Sequence, residues 1–256
     1  MKTDIERSFT RASLTYDTYA DVQLEVARLL MSKLTGGSYR RIFEVGCGTG
    51  CYTAMLSDAF SGAIIEAIDI STAMIEVARK KSYQEGRLSF HVADGETPPL
   101  FIRGPFDLIT ANGVFHWFID MEASLKRLKD LLSADGTIMF SSFGPLTLKE
   151  LTCILSETFN CNIVLPAKSF PDYKKIRDIL SRLFKHVYID ELLICREYQD
   201  VFSLLRNLKS TGVSPSIQSA PPLRLTSARL SRMDDLYRRC FGAIRASYQV
   251  FFCEVN

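Results

Sequence analysis

The stretch RIFEVGCGTGCY, Arg41 to Tyr52, decides how the chain is read. RIFEV is a short apolar run, and glycines follow at 46, 48 and 50. CYTAMLSDAF then has the look of a helix. A buried strand, a glycine loop and a helix are predicted in that order. Outward from there the alternation continues. GAIIEAID (62–69), RLSFHVAD (87–94), PFDLITAN (105–112) and GTIMFSSF (136–143) read as strands. STAMIEVARKK (71–81), with Ser71 as N-cap, and DMEASLKRLKDLL (120–132) read as the helices between them. Strand–helix alternation of this kind predicts a parallel sheet in a doubly wound α/β fold.

The flanks are less regular. The first 33 residues read as helical and end near TGGS (35–38). After residue 143, two helices are expected in LTLKELTCILSETF and DYKKIRDILSRLF. Two strands are expected in HVYIDELLICREY and RASYQVFFCEV. Between those strands QDVFSLLRNLK and SARLSRMDDLYRRCF read as helices, joined by the Ser/Pro-rich STGVSPSIQSAPP, which is expected to be mobile. The expected organisation is a helical cap over the active site (1–37), a core (38–197 and 244–256) and a helical insertion or lid (198–243).

Bulk properties exclude several classes. Of 256 residues, 47% are apolar and 23% charged, and the net charge of +2 is too small to imply nucleic acid. The charged start MKTDIERSF is no signal peptide, and no apolar run reaches the ~20 residues of a membrane span. A cytoplasmic protein is expected. The seven cysteines are scattered without a C-x-x-C pair, so no metal site is expected and most are small core residues.

The glycine spacing narrows the cofactor. A nicotinamide fingerprint would place its third glycine at position 51, which is Cys51, and a P-loop would follow Gly50 with Lys-Ser/Thr. The actual G-x-G-x-G, two residues after Glu44, suits S-adenosylmethionine. Gly46, Cys47, Gly48 and Gly50 let backbone approach its methionyl end. Glu44 can order the loop and receive positive charge. Asp69, at the end of the second strand, can accept both ribose hydroxyls, although NAD folds use the same position. Asp94 and Gly95, after the third strand, suit the adenine, and Ile70 and Met74 can flank its ring. Asn112, ending the fourth strand, completes the rim.

EVGCGTG, AIDIS…M, VADGETPPL and FDLITAN resemble class I S-adenosylmethionine-dependent methyltransferases. SFTRASLTYDTYADVQ (8–23), NLKSTGVS (207–214) and LTSARLSRMDDLYRR…SYQVFF are similar, more narrowly, to the malonyl-acyl-carrier-protein O-methyltransferases of biotin synthesis. The resemblance runs over nearly the whole chain. It implies a mostly parallel, seven-stranded Rossmann-like sheet with an antiparallel last strand. It also implies methylation of the free carboxylate of a malonyl group on acyl carrier protein. ANGVFHWFID (111–120) departs from the family's pattern.

A carboxylate is ionised at pH 7 and needs no general base. Candidate substrate residues are therefore Tyr16 and Arg11 on the N-terminal segment, and His116 and Trp117 after the fourth strand. An acidic carrier needs a basic docking face. Residues 198–245 hold eight cations against three acids, with Arg206, Arg229, Arg232 and Arg239 as candidates. Lys174, Lys175, Arg177, Arg182 and Lys185 form a second cluster. The competing expectations are methylation of another small carboxylate, or of a phenol or quinone using His116 as base. An assembly factor with this fold but no methyl transfer is the third.

Overall fold

The structure is a computed structural model and describes residues 2–34, 36–81, 86–212 and 224–256. From Val213 onward, the Ser/Pro-rich link and the end of NLKSTGVS lie outside the described residues. The N-terminal segment forms α1 (Lys2–Ala12), α2 (Tyr16–Tyr19) and α3 (Asp21–Lys33). The alternating region follows as β1 (Arg41–Val45), α4 (Cys51–Ala59), β2 (Ile64–Asp69), α5 (Thr72–Arg79), β3 (Leu88–Val92), β4 (Phe106–Asn112), α6 (Met121–Lys129) and β5 (Leu132–Phe143). The remainder is α7 (Lys149–Phe159), α8 (Tyr173–Leu183), β6 (Val187–Tyr198), α9 (Val201–Ser210), α10 (Ser227–Phe241) and β7 (Ile244–Val255).

The seven strands form one sheet in the order β3-β2-β1-β4-β5-β7-β6. β1 to β5 pair in parallel, and β7 runs antiparallel between β5 and β6. The doubly wound reading and the antiparallel last strand both hold.

Strand alternation separates two layers. Ile42, Leu108, Met139 and Phe252 point to the face covered by α3, α4, α7, α9 and α10. Phe43, Ile109, Phe140 and Phe251 point to the face covered by α6 and α8. A period of two puts neighbouring residues on opposite faces, so each strand feeds both cores. Within the stretch 198–243, α9 and α10 are integrated into the first layer. Val201, Leu204 and Leu208 of α9, and Met233, Leu236 and Tyr237 of α10, are fully or nearly fully buried there. α10 packs mainly on α7 and β7.

Local signals explain the helix starts. The Ser71 hydroxyl accepts from the Met74 N–H, as expected, and Asp120, Asp172, Asp200 and Thr226 cap α6, α8, α9 and α10 in the same way. Two 3₁₀ turns, Phe115–Trp117 and Pro166–Ser169, stand where the sequence pattern predicted no element, and the first matters here. It carries His116 and Trp117.

Candidate functional site

The C-terminal ends of β1, β2, β3 and β4 meet at one rim, where open parallel sheets bind ligands. Gly46 and Gly48 take positive φ, at 72° and 55°. A Cβ on Gly46 would lie 2.5 Å from Val114 Cγ2, and one on Gly95 would lie 2.5 Å from Val45 Cγ1. Only glycine leaves these two approaches open. Gly50, at φ 81°, lets the chain turn into α4.

The loop is tied to Asp69. Its Oδ2 accepts from Gly48 N–H at 2.9 Å, and its Oδ1 from Ser71 N–H at 2.8 Å. Burial pushes the Asp69 carboxyl up to about 6, against the pull of those two donors. Glu44 is 1% exposed, and one of its oxygens is buried without a hydrogen-bond partner. Burial pushes it up to about 8; Thr53 alongside favours the charged form without a fully formed bond, and Asp69 adds repulsion. The orphaned oxygen is the feature a cationic ligand group or water would satisfy.

Tyr16, Gly46, Gly48, Asp69, Ile70, Met74, Asp94, Gly95, Asn112 and Trp117 line one cavity of about 110 Å³. Ten of the fifteen sequence-predicted site residues thus come together. Small-molecule sites span roughly 300–1,000 Å³, so a nucleoside-sized ligand requires the outer wall to move. That wall is the cap: Lys2, Ile5, Phe9 and Tyr16. Burial, with Asp69 nearby, raises the Tyr16 phenol, which stays a neutral donor at pH 7. Asn112 is held by Gln23 and Ser141.

The other five lie elsewhere. Glu44 and Cys47 sit behind the loop, with the Cys47 N–H donating to Ile68 O, and Gly50 caps α4. Arg11 is exposed and lines neither this cavity nor the neighbouring groove, because α1 turns Ile5 and Phe9 inward instead. The structure gives its expected role over the malonyl charge no contact to rest on. His116 lines the groove.

That groove has a volume of about 1460 Å³. It shares Ile5, Phe9, Trp117 and Phe118 with the smaller cavity. The Trp117 ring packs edge-on against Phe9 at 6.1 Å and Phe170 at 5.1 Å. His116 Nδ1 accepts from Phe143 N–H at 3.3 Å, so Nε2 carries the proton of the neutral ring. Burial pushes the imidazole down to about 3. It is neutral at pH 7 and a poor base.

Fold neighbours share this architecture. The YcgJ protein of Bacillus subtilis has TM-score 0.61 at 14% identity, over 90% of this chain and 97% of that one. The plantazolicin methyltransferase BpumL, solved with SAH, has TM-score 0.52 at 14% identity, over 100% and 96%. Residues 43–138 match a methyltransferase-domain family, Methyltransf_12. Sequence relatives decide more. Malonyl-[acyl-carrier protein] O-methyltransferase 1 of Ilyobacter polytropus is 31% identical over 94% of this chain and 88% of its own length. The Acetivibrio thermocellus enzyme of the same type is 31% identical over 97% and 91%. The chain belongs to the malonyl-[acyl-carrier protein] O-methyltransferase family.

Three residues that tie segments around this rim together escaped the sequence reading. Lys2 bridges Asp94 at 2.7 Å and Glu96 at 2.9 Å, strapping α1 over the acid after β3. Asp17 joins cap to glycine loop by accepting from Thr49 and Cys51, and it pairs with Lys81 at 2.9 Å. Glu96, 6% exposed, accepts from Ile119 N–H at 3.0 Å and Asp120 N–H at 3.1 Å. All three act across more than twenty residues of chain. The one local hint was Glu96, two positions after Asp94.

Proposed function

We propose that the chain transfers a methyl group from S-adenosylmethionine to the free carboxylate of malonyl-acyl carrier protein. The ester would be the disguised primer for the pimeloyl chain of biotin synthesis, as the family resemblance implies. The observation that carries the reading is the shared apolar wall between a glycine-lined cavity with an acid on its rim and a groove of ample volume for an acyl arm.

Asp69 would accept the ribose hydroxyls, Asp94 and Gly95 would face the adenine, and Ile70 and Met74 would flank it. The Gly46–Gly50 loop, with Cys47 and Glu44 behind it, would hold the methionyl end, with Asn112 on the rim. When bound, the cofactor supplies an electrophilic methyl on a cationic sulfur. The chain's own task is to bring an ionised carboxylate to it in line and without water. Ile5, Phe9, Trp117 and Phe118 strip the water. Tyr16 donates to one carboxylate oxygen and leaves the other free to attack. His116 Nε2–H stands as a donor in the groove for a carbonyl of the acyl group.

This assignment needs no base. His116→Gln, which keeps a side-chain N–H donor, is expected to keep most of kcat. At saturating cofactor the rate should be flat from about pH 6 to 8. At subsaturating cofactor it should fall as pH drops below about 6, since an Asp69 raised to that value protonates there and loses its charge. Steady-state rates across pH check both. A loss of several orders of magnitude in folded His116→Gln would favour a phenol or carbon-acid substrate.

The substrate is tested with labelled cofactor and malonyl-acyl carrier protein, set against malonyl-CoA and free malonate. Label in a base-labile ester on the carrier supports the reading, and transfer to free malonate alone sinks it. The seven cysteines are free thiols, in keeping with the reducing cytoplasm where we place the reaction, but only Cys47 and Cys253 are buried, against the expectation that most are core residues. No described helix is long and apolar enough to cross a membrane.

Of the cations expected to dock the carrier, Arg206 stacks over Tyr19 and Arg229 over Phe159. Arg232 and Arg239 are exposed on α10. None of the four lines the groove, which speaks for docking on another face.

A further inference from the structure

We propose that the carrier protein docks on α8, with Lys174, Lys175 and Arg177 as its principal contacts. The inference rests on the functional reading above and deepens it. It starts from the two faces of the sheet. α10 and its arginines belong to the layer over Ile42 and Phe252, whereas α8 belongs to the layer over Phe43 and Phe251. The groove that adjoins the cofactor cavity is walled in part by α8. Lys174, Lys175, Ile179 and Arg182 line it, and α10 supplies none of its described lining. A carrier on α10 would sit in the opposite layer from the one helix, α8, that supplies cations to the groove.

Size fits an arm rather than a free acid. A malonyl group has six heavy atoms, and a groove of about 1460 Å³ is far more than it needs. Exposed Val164 and Ile119, with Phe170 farther in, give an aliphatic arm an apolar wall.

Charge fits an acidic partner. α6 and the stretch 173–185 together carry eight cations against two acids, Glu122 and Asp178, in a chain of net charge +2. Glu122 already pairs with Arg182 at 2.6 Å. The neighbouring acids Asp120 and Asp172 are held as helix caps. Among the described residues Lys174, Lys175 and Arg177 make no salt bridge. All three are exposed in the first turns of α8, where cations oppose the helix dipole. Helix stability therefore does not call for them there, and a partner's carboxylates would.

The test compares two charge reversals, Lys174→Glu/Lys175→Glu on α8 and Arg232→Glu/Arg239→Glu on α10. Glutamate near the start of α8 favours the helix, so the first variant should fold. Binding of holo-acyl carrier protein is measured for each by fluorescence anisotropy at low and high salt. KM is measured for malonyl-acyl carrier protein and for malonyl-pantetheine, which has the arm without the protein. We expect the α8 variant to bind the carrier at least tenfold more weakly at low salt, and wild type to lose affinity as salt rises. Its KM for the carrier substrate should rise at least tenfold more than its KM for malonyl-pantetheine, with kcat kept. The α10 variant should match wild type. An α10 effect with none from α8, equal effects on both substrates, or no carrier binding by wild type would each overturn the proposal. Carrier binding that depends on α8 without methylation would leave the docking face standing and overturn the functional reading instead.

Discussion

Replacing Asp69 with alanine is expected to weaken S-adenosylmethionine binding by about 1–3 kcal/mol, roughly 5- to 150-fold in Kd. Two effects add. The ribose hydroxyls lose a charged acceptor. The Gly48 and Ser71 N–H groups also lose theirs, at 2.9 and 2.8 Å, so the glycine loop is no longer held. Calorimetry gives the Kd. Asp69→Asn separates the two effects, because its carbonyl can keep one loop bond while the charge is gone. Since binding selects the ionised carboxylate, wild-type affinity should fall as pH drops through about 6, and the Asn variant should lose that dependence. Unchanged affinity in the alanine variant would remove Asp69 from the cofactor site.

Glu96→Ala is expected to cost about 2–4 kcal/mol of stability, a fall in Tm of roughly 4–12 °C. The side chain is almost fully buried and serves three partners at once: Ile119 N–H, Asp120 N–H and the Lys2 ammonium. Its removal strands two backbone donors just after the 3₁₀ turn and halves the strap on α1. A functional loss should therefore accompany the stability loss. In the folded variant at low temperature kcat should drop at least tenfold, because Trp117 and the cap both shift. Trp117 is the sole tryptophan, so its emission reports the change directly. A red shift that Glu96→Gln largely reverses is the expected outcome. A lower Tm with unchanged kcat and emission would make Glu96 a purely structural residue.

The rim half of the candidate site was legible because it is local. Each of its residues except Met74, in the first turn of α5, sits at a strand end or in the loop just after it. Apolar runs mark the strands, and glycine, Asp or Asn marks the exits. Asp69, Asp94 and Asn112 could be placed on one rim without coordinates, since parallel strands of similar length end together. The substrate half was harder. The 3₁₀ turn of Phe115–Trp117 has no periodicity long enough to read, so His116 and Trp117 were named from their position after β4 alone. Arg11 was named from chemistry, and one helical face made the difference: Ile5 and Phe9 turn inward and Arg11 outward.

By itself, the sequence determined the alternating order of elements, the parallel sheet and an S-adenosylmethionine-type rim. Each follows from period, spacing or the steric freedom of glycine, and these act within a few residues. Tertiary structure alone decided which face of the sheet each helix covers. It thereby separated the arginines of α10 from the groove and set the lysines of α8 beside it. It also decided that Lys2, Asp17 and Glu96 tie the cap to the rim. The reason is physical: a run of cations looks the same on either side of a sheet, and an ion pair across ninety residues leaves no periodic trace in the chain.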